Sequence, residues 1–357
     1  MGRFSHNEIP LWVLKLALLL AAAIWGLGTV VIKSTVDEFS PVWLVGVRFL
    51  GAGLILGLLA FPKITRNLGA APAAHLHHGA ILGVLVFGSY WCNSTGLTDT
   101  TASNSSFLTT LYVVIIPFLG WVILHKRPTS FNIVAALMCV AGVACVAYGG
   151  ASGFSLRFGD VITMGSAVFL SLHVLYTAKY APGYSMTTLT VVQFVVAGAL
   201  GLLTGALTEP VPDFAHLSPD TWMNIAYLTV FASCAALGLQ NAAVARVDPA
   251  QASLFLATEC LFGGLLSVLL LGEAIAPSSG IGFALIFAGI VVSEYLPLRA
   301  EKRQAALAAA NAEARAAVET GAGAESTTGT VTAVVSIAAT ATEITALDME
   351  EADAFLR

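Results

Sequence analysis

The chain has very few charged residues. Only 10% of its 357 residues are Asp, Glu, Lys or Arg, against about 25% in an ordinary soluble domain. A protein with so few charges cannot cover itself with a water-facing surface. Hydrophobic residues make up 57% of the chain, and the mean hydropathy is +0.84. This composition excludes a soluble globular fold.

The motifs of several common enzyme classes are also missing. No HExxH, GxSxG or Walker sequence is present, which excludes the familiar intramembrane proteases, esterases and ATP-driven pumps. The five cysteines lie in apolar runs without metal-ligand spacing, so we expect no metal site, disulfide or cofactor. The net charge is −5 and the sequence has no basic stripe with interleaved aromatics, so we expect no nucleic-acid partner.

Apolar runs of about 20 residues, the length that a helix needs to cross a bilayer, recur between Leu11 and Leu298. With Gly, Pro and charge clusters as boundaries, they predict an all-α membrane protein with ten transmembrane helices. The predicted spans are residues 11–32, 41–61, 79–97, 105–124, 131–149, 160–178, 188–207, 221–245, 251–271 and 280–297. The first run is longer than a signal-peptide core, so we predict that it is retained.

Basic residues are distributed unequally between the two sides of this arrangement. Only Lys33 and Arg157 lie on one side. The other side carries Arg3, Lys63, Arg66, Lys126, Arg127, Lys179, Arg246, Arg299, Lys302 and Arg303. The positive-inside rule therefore predicts a multi-pass protein of the plasma (inner) membrane with both termini in the cytoplasm.

The two ends of the chain differ in composition from the spans. Residues 1–10 form a short predicted cytoplasmic N-terminus, and residues 298–357 form a cytoplasmic tail rich in Ala, Thr and Glu. The first part of the tail, residues 300–318, is compatible with a surface helix. Low-complexity sequence follows, and we predict that the tail is largely disordered beyond about Thr320.

The chain resembles itself when it is shifted by 145 to 148 positions. TASNSSFLTTL at residues 101–111 aligns with PAQASLFLATE at 249–259, and Arg48-Phe49 aligns with Gln193-Phe194. Each copy, residues 11–149 and 160–297, holds five predicted spans, and an odd number inverts the second copy in the membrane. Inverted repeats are typical of secondary transporters, in which two halves open a central cavity alternately to either side. A duplicated scaffold or a channel is the alternative.

Several segments also resemble a known family. They are WGLGTVVIK in the first span, Arg48-Phe49 in the second, residues 102–117, their partner at 250–271, and the LLLGE that closes this partner. Because these segments occur in this order and in two copies, the chain resembles the drug/metabolite transporter superfamily, EamA type, over residues 11–297. The resemblance implies a ten-helix basket with a central cavity that exports or takes up amino acids, other small metabolites or drugs. The chain departs from the pattern at residues 125–127, where a helix-ending Glu is usual, and at Leu265, which replaces a Pro.

Two charged residues lie within predicted spans. A charge in the hydrocarbon costs at least about 2.5–3.5 kcal/mol, so each is a functional candidate. Glu259 is predicted to bind a substrate amine or to titrate as a proton-coupling site, and Arg48 to hold a carboxylate or to balance Glu259. The alternative is a static ion pair between them that fixes the packing of the helices.

Polar stripes on two predicted spans are expected to line the interior, because polar faces avoid lipid. On the fourth span the stripe is Ser103, Phe107, Thr110 and Val114, and on the ninth it is Gln251, Phe255, Thr258 and Phe262. Their spacing places each set on one helix face. Interhelical hydrogen bonds that only stabilise packing are the alternative.

Polar-tipped aromatic side chains at membrane depth are candidates for a wall around an organic substrate. They are Trp25, Tyr90, Trp91, His173 and Tyr176. A packing role is the alternative for His173. Asn93 and Asn241 align in the repeat and are predicted to be symmetric contacts of the cavity, because buried amides need partners.

Together these patterns predict a gradient-driven transporter of small organic metabolites, and the resemblance favours export. Its expected partners are a small-molecule substrate and the lipid bilayer, and homodimer formation is left open. A membrane scaffold or sensor that transports nothing is the first alternative, and an intramembrane enzyme of another type is the second.

Overall fold

The computed structural model describes residues 10–125, 127–147, 156–180, 183–244 and 255–321. Within these ranges, the regular elements are helices. They are α1 (Leu11–Thr35), α2 (Pro41–Leu59), α3 (Phe61–Ala70), α4 (Pro72–Gly96), α5 (Ala102–Thr110), α6 (Tyr112–Leu124), α7 (Ser130–Ala147), α8 (Phe158–Tyr180), α9 (Met186–Thr208), α10 (Pro219–Tyr227), a π-helical segment (Leu228–Ala235), α11 (Ala236–Val244), α12 (Glu259–Leu271) and α13 (Pro277–Gly321).

The chain divides into two compact units, Met1–Tyr295 and Leu296–Arg357. The first contains the packed helices. The second is helical as far as Gly321, which includes the stretch at 300–318 for which a helix was predicted. The predicted disorder of the tail and the predicted N-terminus at residues 1–9 fall outside the described residues.

Several helix ends follow directly from the sequence. Proline begins α2, α4, α10 and α13, where its missing N–H costs no intrahelical hydrogen bond. Ser218 caps α10 by accepting a hydrogen bond from the Thr221 N–H at 3.2 Å. Gly272 ends α12 with a φ of 66°, a left-handed conformation that glycine adopts without strain.

Long apolar helices make this a multi-pass membrane protein. Seven helices of the described chain are long and apolar enough to cross a bilayer, or eight if the bent pair α3 and α4 counts as one span. Shorter apolar helices cover Ser130–Val146 and Phe255–Leu271. Leu58 and Leu59 are 77% and 79% exposed, which water would disfavour and lipid accepts. The count of ten spans and their inverted repetition stay predictions.

Helices α2 and α9 pack with their backbones in contact. A methyl group added at Gly201 would lie 2.5 Å from the Gly46 nitrogen, and one at Gly198 would lie 2.5 Å from the Leu50 nitrogen. Small residues are the means by which membrane helices approach this closely. The pair therefore depends on glycine at these positions.

The fourth, eighth and ninth predicted spans are interrupted helices, the ninth at Thr258, and the helix that leads into the third span is bent. The fourth breaks at Leu111, between α5 and α6. The eighth passes through the π-helical segment, and the helix that leads into the third bends by 115° between α3 and α4. In a membrane, such irregular backbone is tolerated where protein or a cavity surrounds it.

Loop carboxylates bind the beginnings of other helices at one end of the first unit. Glu38 accepts from the Ser218 N–H at 2.7 Å, and Glu209 from the Val42 N–H at 3.2 Å. In the same way, Glu273 accepts from the Ala102 N–H at 2.8 Å and Asp99 from the Gly159 N–H at 2.9 Å. Carboxylates are favoured here because the first N–H groups of a helix have no partner within it. We call these contacts the loop carboxylate caps.

Two of the capping carboxyl groups have pKa values shifted in opposite directions. Hydrogen bonds from Ser218 and Thr221 lower the pKa of Glu38, whereas burial raises the pKa of Glu209 against the hydrogen bonds from Trp43 and Val42. The stabilising effect of Glu38 is thus present above the unfolded-state pKa and is lost as the pH falls through the lower folded-state pKa. The contribution of Glu209 to stability has the opposite pH dependence. It is present below the unfolded-state pKa and is lost as the pH rises through the higher folded-state pKa.

We therefore expect Glu38→Gln to reduce the loss of thermal stability on acidification below about pH 4, near the ordinary glutamate pKa. The check is Tm against pH in detergent solution for both proteins. Asp37→Asn is the matched control, since Asp37 is the neighbouring carboxylate and accepts no hydrogen bond from the described residues. An acid limb as steep in Glu38→Gln as in the unmodified protein would contradict the assignment.

Candidate functional site

A cavity lies among the helices of the first unit, within about 730 Å³ of space that includes its opening to solvent. Its walls come from α1, α2, α4, the junction of α5 and α6, α8, the π-helical segment, α11 and α12. The lining residues are Trp25, Gly28, Thr29, Ile32, Arg48, Val86, Ser89, Tyr90, Asn93, Thr109, Tyr112, Leu170, His173, Val174, Leu228, Ala232, Leu237, Gln240 and Glu259. Eleven of these 19 side chains carry a polar atom, and apolar side chains complete the wall, as in many small-molecule sites.

Arg48 is the buried cation of this cavity. Only 1% of its surface is exposed, and its Nε donates to Ser233 Oγ at 3.1 Å. The guanidinium carbon lies 4.7 Å from the ring centroid of Tyr90 and 5.0 Å from that of Phe49. Its Nη1 is buried and has no hydrogen-bond partner among the described residues. An unpaired buried guanidinium N–H is costly, so this atom is suited to an anionic guest.

Glu259 lines the same cavity from the first residue of α12. Its carboxylate has no hydrogen bond or ion pair with the described residues. The ion pair found among the described residues joins His216 and Asp213 at 2.6 Å, and both side chains are exposed. The static pair between Arg48 and Glu259, the alternative to a functional role, is therefore not formed among the described residues. Ser233 and the two aromatic rings hold the guanidinium instead.

The aromatic and amide residues are held by specific hydrogen bonds. Trp25 Nε1 donates to the Ala232 carbonyl oxygen at 2.8 Å, so the π-helical segment orients the indole. Asn93 Nδ2 donates to Ser105 Oγ at 3.2 Å and to Thr109 Oγ1 at 3.1 Å. These contacts fix two of the predicted cavity residues in place.

His173 lies in the wall of the cavity and is 2% exposed. Its Nε2 lies 3.1 Å from Gln193 Oε1, and its Nδ1 is buried without a partner among the described residues. Gln193 is the residue that aligns with Arg48 in the internal repeat. The predicted roles of His173, in packing or in contact with the ligand, both fit this position.

The cavity is lined by equivalent faces of α1 and α8. From α1 it receives Trp25, Gly28, Thr29 and Ile32, and from α8 Leu170, His173 and Val174. The first three residues of α1 coincide with the three of α8 at the shift of 145 found in the sequence, and Ile32 has no counterpart in the lining.

Five predicted site residues do not line this cavity. Thr110 is fully buried and donates to the Ser106 carbonyl oxygen at 2.8 Å. Thr258 donates to the Phe255 carbonyl oxygen at 2.6 Å, where the short helix before α12 ends, and Phe255 packs against a separate hydrophobic cluster. In both predicted stripes the helix is broken, so spacing along the sequence does not fix one face. Gln251 lies outside the described residues.

Asn241 and Tyr176 also lie elsewhere. Asn241 Nδ2 donates to Thr190 Oγ1 at 2.9 Å, and its neighbour Gln240 lines the cavity in its place. The π-helical segment precedes this residue and changes the helix face that meets the cavity. Tyr176 contacts Tyr180 and the Lys179 ammonium. Trp91, also predicted to line the cavity, is 40% exposed and stacks on Phe87.

The structure adds polar residues that were not predicted for the site. They are Ser89, Thr109 and Tyr112, together with Gln240, which was not selected as a site residue. Ser89 precedes Asn93 by one helical turn, a signal that could have identified it. Thr109 and Tyr112 flank the break at Leu111, and no local pattern predicts which of them faces inward.

The described residues contain no group of three or more His, Cys, Asp or Glu side chains that could hold a metal ion. The lining of the cavity offers one guanidinium, one carboxylate, an imidazole, amides, hydroxyl groups and aromatic rings. Such a set can bind a small organic molecule through both charges and through its apolar surface.

Comparisons with known proteins give the following relatives. The profile of the EamA-like transporter family matches residues 12–148 and, a second time, residues 157–295. An uncharacterized transporter of Archaeoglobus fulgidus is 26% identical over 279 residues, covering 78% of this chain and 85% of that protein. The uncharacterized transporter YetK of Bacillus subtilis is 26% identical over 287 residues, covering 76% and 84%.

A solved crystal structure has a similar fold. It superposes with a TM-score of 0.58 at 20% sequence identity and covers 81% of this chain and 98% of its own. At this identity the likeness concerns the fold alone.

Proposed function

Because the chain belongs to the EamA-like transporter family, within the drug/metabolite transporter superfamily, we propose that it is a secondary transporter of small organic metabolites. It works by alternating access and crosses the plasma membrane with both termini in the cytoplasm. The observation that carries the proposal is the central cavity, in which Arg48 Nη1 and the Glu259 carboxylate both lack partners among the described residues.

Two inverted five-helix halves, residues 11–149 and 160–297, would provide the moving parts. The double match of the family profile supports a duplication, and so do the equivalent cavity faces of α1 and α8. The seven long helices, the bent pair and the two shorter apolar helices together make ten segments. Epitope tags placed at each terminus should both be accessible from the cytoplasm, whereas a tag between α9 and α10 should be accessible from outside.

The charges of the cavity indicate an amphoteric substrate such as an amino acid. Arg48 binds its carboxylate, because a guanidinium presents parallel N–H donors to two oxygens. Glu259 receives its amino group or exchanges with a coupling proton. Trp25 and Tyr90 contact the apolar part, since aromatic faces bury large areas and attract cations.

Flux into proteoliposomes tests this proposal. The purified protein is assayed with an amino acid mixture, with the corresponding methyl esters, which lack the carboxylate, and with the corresponding 2-oxo acids, which lack the amine. We expect exchange of the complete amino acids and weaker transport of both analogues. A scaffold would move none of them, and an enzyme would release a changed compound.

The role of Glu259 in coupling gives a separate prediction. Glu259→Gln keeps the shape of the side chain but cannot release a proton, so transport should lose its dependence on a pH gradient while expression is unchanged. Uptake with and without an imposed gradient measures this, and Asp37→Asn serves as the control that removes one carboxylate outside the cavity. Gradient dependence that persists in Glu259→Gln would discard the proton role.

Export is the direction that the family resemblance favours. Cells that overproduce the protein should release more substrate, and cells that lack it should retain more. A comparison of their extracellular metabolites identifies both the compound and the direction.

A further inference from the structure

A cluster of cations lies away from the cavity, at the elbow between α3 and α4. The two helices meet at 115°, so α3 runs nearly across the direction of the spanning helix. Helix α3 is amphipathic: Ile64 is buried, while Lys63 and Arg66 are exposed. An amphipathic helix in this orientation lies in the interface between lipid and water.

Hydrogen bonds attach the elbow to the beginning of α9. Lys63 Nζ donates to Thr187 Oγ1 at 3.1 Å, and Asn67 Nδ2 donates to Thr188 Oγ1 at 2.9 Å. The position of α3 is thereby fixed relative to the connection between α8 and α9.

Ring contacts join the beginning of α4 to the end of α8 and to the connection between α8 and α9. His75 lies 5.3 Å from Tyr184, and His78 lies 4.2 Å from Tyr180, measured between ring centroids. Lys179, next to Tyr180 at the end of α8, is exposed. One corner of the protein therefore collects Lys63, Arg66, the exposed His77 and Lys179, which we call the basic corner.

No acidic residue from the neighbouring sequence balances these charges. The chain has no Asp or Glu from Phe39 to Thr98, nor from Val161 to Thr208. Within the described residues, the ion pair found joins two residues of a different loop, so Arg66 and Lys179 have no carboxylate partner. Among the described residues, the basic corner therefore presents positive charge that no carboxylate pairs with.

Apolar side chains adjoin the basic corner on the lipid side. Leu58 and Leu59 at the end of α2 and Leu76 in α4 are all more than half exposed. A phospholipid has the matching pattern, with a charged headgroup above two acyl chains. A soluble anion would use the cations but not these leucines.

We propose that the basic corner is a binding site for the headgroup of an anionic phospholipid, whose phosphate contacts Arg66, Lys179 and Lys63 and whose acyl chains lie along the exposed leucines. The site is distinct from the transport cavity and does not depend on the substrate. Attraction of this kind is worth roughly a fivefold change in lipid affinity for each cation near the surface.

Lipid selectivity of the full-length protein tests this. Lipids retained after purification from nanodiscs with equal parts of phosphatidylcholine and phosphatidylglycerol are counted by native mass spectrometry. The double variant Arg66→Gln, Lys179→Gln should lose roughly twentyfold in preference for phosphatidylglycerol, about fivefold for each cation. The control Arg157→Gln removes an exposed cation at the opposite end and should retain the preference.

The outcomes separate the proposal from its alternatives. Equal preference in the double variant and the unmodified protein would overturn it, and so would an equal loss in Arg157→Gln. If inorganic phosphate displaces the bound lipid as well as phosphatidylglycerol does, the corner is a soluble-anion site and the lipid proposal fails. Because these measurements need no transported substrate, they are independent of the flux assays.

Discussion

Arg48→Gln will reduce amino acid flux in proteoliposomes by roughly tenfold to a hundredfold, the equivalent of a lost hydrogen bond to a charged group. The guanidinium is held by Ser233 and lies against Tyr90, while Nη1 remains without a protein partner. Glutamine can still hydrogen-bond to Ser233, but it offers the substrate no charge. The largest effect should therefore be on the apparent affinity for substrates that have a carboxylate.

The comparison of substrates and variants gives this prediction its specificity. Methyl esters, which lack the carboxylate charge, should be affected much less by Arg48→Gln than the free amino acids are. Arg157→Gln removes an exposed arginine and should leave both fluxes unchanged. Equal losses for acids and esters would indicate that Arg48 supports the packing of the cavity rather than substrate binding.

Gly201→Ala will lower the stability of the protein by about 3 kcal/mol, the upper end of the usual cost of overpacking. The added methyl group would lie 2.5 Å from the nitrogen and 2.6 Å from the Cα of Gly46. Both are backbone atoms, so no side-chain rotation can relieve the clash. Helices α2 and α9 must separate, which costs contacts along their whole interface.

A second glycine provides the matched control for this measurement. A methyl group added at Gly238 in α11 meets nothing within 4 Å, so Gly238→Ala should change the Tm little or should raise it through better helix propensity. Thermal unfolding in detergent compares the two variants directly. If they have the same Tm, close packing of α2 against α9 does not limit stability.

Hydropathy predicts the helices well because the bilayer imposes a length and a composition on every spanning segment. The interruptions within them have weaker signals. Pro72 begins α4 and marks the elbow, but nothing in residues 228–235 identifies a π-helical segment. The break at Leu111 has no sequence signal either, because Leu is a good helix former.

The cavity was predictable where burial is costly. Arg48 and Glu259 were candidates because a charged side chain within the hydrocarbon is energetically costly. Both line the cavity. Thr110 was selected by helical spacing and Asn241 by the repeat. Near the break at Leu111 it is Thr109 that lines the cavity, and after the π-helical segment it is Gln240. The pairing of Arg48 was not predictable, since Ser233 is far away in sequence and lies in the irregular segment.

The loop carboxylate caps have a consequence for the energy landscape of a carrier. Glu38, Glu209, Glu273 and Asp99 each cross from one loop to the start of a distant helix at the same end of the first unit. If that end is to part during a cycle, water must take over every released amide and carboxylate at once. The barrier at this end is then polar, so it should respond to acidity and ionic strength far more than a purely apolar interface would.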